Sequence, residues 1–197
     1  SYPTTEAGLA PLRITIFRWL WIASLASNVG TFMHNVGASW LMLTIAPSAD
    51  QVALVQTAGA LPFFFLSLIA GALADTRDRR TIMLASQVFT LLASVVLAGM
   101  TLAGAITPSL LLLLTFLVGC GTAVLAPAWQ ASIGDIVPRS QIAPAVMANA
   151  VGFNLARSLG PAIGGAIVAA VGAAGAFIVN AVSYRGIIAA LLLWKPQ

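Results

Sequence analysis

Asn28, Thr31 and Asn35 recur at spacings of three and four, with His34 beside them and Ser24 and Ser39 extending the row, inside an otherwise apolar stretch. On a helix they share one face. Such a face serves either hydrogen bonding to a neighbouring helix or contact with a small molecule in an aqueous cavity. His34 adds a ring whose ordinary pKa of about 6.5 suits it to hydrogen bonding or, alternatively, to carrying a proton. Thr115, Gly119 and Thr122 form a further small polar face in a later apolar run. Trp129 and Gln130 follow it, and Trp129 fits an interfacial anchor or a substrate contact.

Arg157 is the sharpest candidate for chemistry, because it lies well inside an apolar segment where a central arginine costs about 2.5–3.5 kcal/mol. Something must stabilise it. Glu6, Asp50, Asp75, Asp78 and Asp135 all fall at the ends of apolar runs or between them. Its partner is therefore a polar side chain such as Asn154 one turn earlier, a carbonyl, water, another part of the protein or an anionic ligand. Arg185 poses the same question near the middle of the last apolar run, where it either snorkels or faces inward, with Asn180 and Tyr184 as possible company.

The elements that hold these residues follow from charge and hydropathy. Of 197 residues, 60% are hydrophobic and 7% charged, far from the roughly 25% charged of soluble domains. The pattern predicts an all-α integral membrane protein. Charges leave uninterrupted apolar intervals from Arg18 to Asp50, broken only by His34, from Asp50 to Asp75 and from Arg80 to Asp135. Gly104-Ala105-Ile106-Thr107-Pro108 divides the last interval, and Gly172-Ala173-Ala174-Gly175 divides the chain after Arg139. Six transmembrane helices result, near 16–44, 51–75, 80–103, 108–135, 142–171 and 175–194, forming one bundle over residues 1–197. Continuous rather than alternating apolar runs exclude strands.

Nine Lys and Arg and five Asp and Glu make fourteen formal charges, and five of them crowd into the ten residues Gly71–Arg80. This knot marks a tight turn at a membrane surface. Under the six-span topology Arg13, Arg18, Arg77, Arg79, Arg80, Arg139 and Lys195 share one side, which the positive-inside rule makes cytoplasmic, together with both termini. The pI of about 10.2 thus reports topology, with basic residues too scattered for nucleic-acid binding. Asp75 at a helix C-terminus opposes the macrodipole, and Arg77, Arg79 and Arg80 are its available compensation. Asp135 ends the fourth span on the same side, so an ion pair with one of these arginines is geometrically reasonable.

The Gly71-xxx-Asp75-x-Arg77-x-Arg79-Arg80 pattern between spans two and three resembles the signature loop of the major facilitator superfamily, with Thr76 where a basic residue and Asp78 where glycine are usual. Gly160-Pro161-Ala162-Ile163-Gly164-Gly165 in span five is similar to that superfamily's antiporter and exporter motif. Phe17-Arg18-x-Leu20-Trp21, Pro127-Ala128-x-Gln130-Ala131 and Asn154-Leu155-Ala156-Arg157 look like its enterobactin-exporter and macrolide-efflux branch. The resemblance covers essentially the whole chain and half of a twelve-helix fold. It implies the N-terminal six-helix half of a bacterial cytoplasmic (inner) membrane exporter that moves a small organic molecule, such as a drug or siderophore, by alternating access.

Under that resemblance Asn28, Thr31, His34, Asn35, Thr115, Asn154 and Arg157 line or adjoin the substrate cavity. Gly71, Asp75, Arg77, Arg79, Arg80 and Asp135 form a cytoplasmic gating latch, and Gly160, Pro161, Gly164 and Gly165 a helix face where two halves meet and pivot. Kinship also implies proton coupling, although Thr115 stands where many exporters carry arginine. The implied partners are the lipid bilayer, the small-molecule substrate and a C-terminal six-helix half or a second copy.

From the residues alone, Gly152, Ala156, Gly160 and Gly164 form a stripe that lets another helix approach closely, and Pro161 kinks that helix. The two sets of three spans have the near-equal lengths of an inverted repeat. No phosphate loop, nucleophile elbow, metal cluster or paired Asn-Pro-Ala loop is present, so neither an enzyme, a cofactor site, a metal site nor a water channel is expected. The lone Cys120 reads as a small packing residue. A start at Ser1, with no cleavable signal, reads as an excerpt. The alternative function is a non-transporting truncated or split membrane module that pairs with itself or with a separate half.

Overall fold

A computed structural model describes residues 8–46 and 48–196, so the leading segment with Glu6 lies outside the described residues. Among the described residues there are six long α-helices and no strand: α1 Thr15–Ile45, α2 Ala49–Thr76, α3 Arg79–Leu102, α4 Pro108–Ile136, α5 Ile142–Val171 and α6 Ala173–Leu193. The helices α2 to α6 are long and apolar enough to cross a membrane. By contrast α1 is long enough but falls short in apolarity, because Asn28, His34 and Asn35 interrupt it.

Local chemistry sets the boundaries. Ser48 and Thr107 accept hydrogen bonds from the backbone N–H of Gln51 and Leu110, capping α2 and α4, while Pro108 opens α4 without an N–H to satisfy. The turn before Pro108 uses Gly104 at φ 68. Gly172, at φ 84, ends α5 and begins α6, which therefore starts at Ala173 and not at Gly175.

The helices pack in an interleaved order. The heaviest contacts of α1 are with α5 and α6, those of α4 are with α2 and α3, and α3 also packs on α6. Exchanging each helix with the one three places on maps this set of pairs onto itself, the pairing expected of an internal repeat. Glycine permits the closest approaches. A Cβ on Gly160 would stand 2.5 Å from Cβ of Phe32, and one on Gly164 2.8 Å from Cα of Met33, so the small-residue stripe of α5 lies on α1 inside this bundle. In the matching pair, a Cβ on Gly119 of α4 would lie 2.6 Å from the Gly59 carbonyl of α2.

The interior is layered. Leu20, Ala74, Ile82, Met83, Trp129, Leu191 and Trp194 form an apolar cluster at the charged end, and Met42, Val55, Leu97, Leu111 and Phe177 form another at the opposite end. Between them the core is polar, with His34, Gln87, Thr90, Ser94, Thr115 and Asn180 buried. Large apolar side chains such as Phe64, Leu68, Leu92 and Val151 point outward. This inverted distribution suits lipid rather than water outside.

Substituting Gly119 with Val should destabilise the bundle by about 1–3 kcal/mol, since the new side chain meets backbone that cannot yield. Gly165→Ala, where nothing lies within 4 Å of the added Cβ, should instead raise the thermal unfolding temperature in detergent slightly, by the roughly 0.5–1 kcal/mol that Ala gains over Gly inside a helix.

Candidate functional site: a groove along the first and fourth helices

With α5 held against α1, and α2 against α4, a groove remains between the two pairs. Its central chamber of about 250 Å³ is lined by Asn28, Thr31, Phe32, His34 and Asn35 of α1, Gln56, Gly59, Ala60 and Phe63 of α2, Thr115, Val118, Gly119 and Thr122 of α4, and Phe153 of α5. A chamber of about 310 Å³ continues toward the charged end past Ser24, Ser27, Trp129, Gln130 and Asn149, sharing Asn28, Phe63, Thr122 and Phe153 with the first. In the other direction Ser39, Trp40 and Pro161 extend the groove from Phe32, Asn35 and Gln56.

The rotation of each helix decides which side chains face this space. On α1 the face next to the Gly30, Gly37 and Met33 contacts presents the row expected from sequence, so Asn28, Thr31, His34 and Asn35 all line it. Thr31 Oγ1 lies 3.4 Å from the Tyr184 hydroxyl, and Thr115 Oγ1 lies 3.5 Å from His34 Nε2. The His34 ring also tilts against Phe177, with centroids 5.3 Å apart. Its Nδ1 is buried without a hydrogen-bond partner. Gln56 donates to Ser39 Oγ at 3.0 Å, bridging α2 and α1.

Two of the expected cavity residues line none of the chambers. Asn154 is exposed and its amide returns to the Ala150 carbonyl at 2.9 Å, because Gly152 and Ala156 face α1 and turn position 154 to the opposite side of α5. It therefore does not accompany Arg157. Arg157 is also exposed and lines no chamber, although it sits one turn from Phe153 and one turn from Pro161, which do. Arg185 is exposed on the outer face of α6, whereas Asn180 and Tyr184 are buried on the inner face, so these three do not meet.

Several lining residues were missed by sequence reasoning. Gln56 carried a visible signal, a long amide one turn before Gly59 in an apolar run. Phe32, Phe63 and Phe153 carried none, since a phenylalanine in a membrane span reads equally as lipid-facing. Trp129 is buried, stacks on Phe17 at 6.4 Å and donates to Asn149 Oδ1 at 2.8 Å, so it braces α4 against α1 and α5 at the groove instead of anchoring at an interface.

At the charged end, Arg79 and Asp135 meet at 2.8 Å. The same guanidinium donates to the Ala131 carbonyl at 2.9 Å and to the Ala74 carbonyl at 3.2 Å. Arg80 donates to the carbonyls of Leu191 at 2.7 Å and Leu192 at 3.1 Å. Two successive residues at the start of α3 thus bond carbonyls near the C-terminal ends of α2, α4 and α6. Those of Ala74, Leu191 and Leu192 lie in the last turn of their helices, which carries the negative end of the dipole, while the Ala131 carbonyl also belongs to the ladder of α4.

Asp75 is exposed and has no ion pair among the described residues, so the expected compensation by Arg77, Arg79 and Arg80 does not form. Carbonyls near three helix ends accept from Arg79 and Arg80 instead. Gly71 is half-buried, with room around its Cα, and Arg77 is exposed. Asp78 N-caps α3, accepting from both the Thr81 hydroxyl and the Thr81 N–H. The Thr81 hydroxyl holds its carboxyl below the usual range, desolvation opposing, with further help from the backbone N–H groups of Thr81 and Arg80 and the charge of Arg80.

Both partners of the Arg79–Asp135 pair are partly exposed, so screening limits the pair to about 0.2–1 kcal/mol. The guanidinium bonds to carbonyls, about 1.5–3 kcal/mol each, should dominate. Arg79→Lys should therefore lower the melting temperature more than Asp135→Asn, and exchanging the two charges should not rescue stability in thermal unfolding. For Asp78 the folded pKa lies below the unfolded value near 3.8, so its stabilisation is complete above that value and is lost as pH falls through the folded one. Asp78→Asn should flatten the acid limb of a melting-temperature profile below about pH 4.

The chain matches, over residues 6–197, the family model described as transmembrane secretion effector. It is 28% identical over 180 residues to the staphyloferrin A transporter of Staphylococcus aureus, covering 91% of this chain and 45% of that protein. It is also 28% identical to the multidrug efflux pump Tap of Mycolicibacterium fortuitum, covering 85% of this chain and 41% of the pump. An uncharacterised major facilitator-type transporter of Bacillus subtilis, YfiS, is 26% identical over 87% of this chain and 40% of its own length. The chain spans less than half the length of these relatives. With a multi-pass helical bundle and a family match over nearly its whole length, the chain belongs to the major facilitator superfamily of membrane transporters.

Proposed function

We propose that this chain is the N-terminal six-helix half of a secondary active exporter that moves a small organic molecule, such as a drug or siderophore, outward by alternating access. The carrying observation is the groove itself. Its floor of Asn28, Thr31, His34, Asn35 and Thr115, with Gln56 on one wall and Phe32, Phe63 and Phe153 around it, combines dispersed hydrogen bonds with aromatic surface. Ligand sites of this composition orient a small molecule by a few polar groups and bury its apolar body. Relatives that include a named multidrug efflux pump support outward transport.

In this reading all six helices cross the inner membrane and the termini lie in the cytoplasm, with α1 tolerating its polar face because that face looks into the groove. A C-terminal half closes the open side between α2 and α5. The arginine-capped end, with Asp135 and the exposed Asp75, latches the cytoplasmic side. Gly160 and Gly164 of α5 hold it against α1, while Pro161 and Gly165, turned away from α1, belong to the face where the two halves meet and pivot. Among the described residues no carboxylate lines the groove, so a coupled proton would involve His34 or the other half.

Energised everted vesicles containing these six helices together with their C-terminal half should accumulate at least one member of a labelled panel of drugs and organic acids. Thr115→Leu, which narrows the groove, should reduce that accumulation at least about tenfold without lowering the amount of protein in the membrane. Accumulation no greater than in vesicles lacking the protein would favour the non-transporting module that pairs with itself or with a separate half.

A further inference from the structure

Arg157 lies fifteen residues from Ile142 and fourteen from Val171, the ends of α5. At 1.5 Å per residue the nearer end is about 21 Å away, beyond the reach of a snorkelling side chain. It has no ion pair among the described residues. Its backbone position is decisive. Asn149, Phe153, Arg157 and Pro161 follow one another at a spacing of four, and Asn149, Phe153 and Pro161 all line the groove. Arg157 therefore occupies the one place on that stripe where a charge stands beside the chambers, about 6 Å along the axis from each lining neighbour.

The groove is also electrostatically one-sided. Among the described residues none that lines its three chambers is Asp or Glu. A cation entering it would leave water without meeting an opposite charge, whereas an anion would find beside the chambers the Arg157 guanidinium, which has no ion pair among the described residues. His34 is 1% exposed, lines the central chamber and keeps Nδ1 without a hydrogen bond. The apolar surface is aromatic, with Phe32 and Phe153 rings 5.8 Å apart and Phe63 on the facing wall.

We infer that the groove selects anionic amphiphiles: an apolar or aromatic body lies against Phe32, Phe63 and Phe153, and a carboxylate or similar acidic group is taken by Arg157. This rests on reading the groove as the substrate path. Arginine suits the task because its planar fork binds a carboxylate through two parallel hydrogen bonds.

The test uses three probes of matched shape, 1-naphthoate, 1-naphthylmethylammonium and 1-naphthylmethanol, titrated calorimetrically into the purified protein in phosphatidylcholine nanodiscs. The anion should bind at least about tenfold more tightly than the cation. Arg157→Gln should bring that ratio close to one while leaving the affinity for the neutral alcohol unchanged, and Arg157→Lys should retain part of it. Equal or tighter binding of the cation to the unmodified protein overturns the inference, and this comparison decides even if Arg157→Gln does not fold. An unchanged ratio in a folded Arg157→Gln protein overturns it too, and so does a large loss of thermal stability without a change in ratio, which would reveal a carboxylate partner within the polypeptide. If none of the three probes binds to the folded protein, the groove fails as a binding site altogether; preference for the alcohol or the cation removes only the charge selection and leaves transport to the vesicle measurement.

Discussion

Helices surrounded by lipid gain little from hiding leucine, because the acyl chains are as apolar as the side chains they would replace. Their association depends on how closely backbones can approach. In this protein two such approaches govern the rest: α5 on α1 through Gly152, Gly160 and Gly164, and α4 on α2 through Gly119 and Gly59. Each brings a pair of helices together over most of its length, and α3 and α6 tie the two pairs from behind. The groove is what remains between them. Its existence is thus a consequence of where glycine permits contact and where phenylalanine forbids it.

The polar layer follows from the same arrangement. Groups such as Thr90, Ser94, Asn180 and Tyr184 are buried between helices that the apolar clusters at both ends hold in register. Turned toward lipid, Tyr184 would lose the Thr31 hydroxyl that stands 3.4 Å from its own. The arginine pair does comparable work at one end of the bundle. Arg79 and Arg80 reach carbonyls on α2, α4 and α6, so the start of one helix fastens the ends of three others. A loop with this many bonds to neighbouring helices is coupled to any change in their relative positions. Asp75, exposed beside them, is left available to groups outside these six helices.

Much of the fold was legible in the order of residues because a bilayer leaves few solutions: long apolar intervals must be helices, and charges must lie between them. The turns at Gly104 and Gly172, the caps at Ser48 and Thr107 and the polar row on α1 are local matters of conformation and spacing. The site was legible only in part. Positions on α1 and α4 were found because polar residues in a span stand out, while the aromatic wall was not, because phenylalanine suits lipid, core and ligand equally. Asn154 was misplaced for a definite reason: a three-residue spacing from Arg157 says that the two are neighbours on a helix, not which way that side of the helix turns.

Sequence by itself determined that this chain is a helical membrane protein of recognisable family, with its charge gathered at one end, because hydropathy and motif spacing are properties of the linear chain. Tertiary structure decided what the charges and polar groups do. The guanidinium groups of Arg79 and Arg80 choose carbonyls over Asp75 because three helix ends converge there. The rotation of α5, set by its glycines against α1, puts Asn154 outside and Arg157 beside the groove, since only the packing of one helix on another fixes the direction in which each side chain points.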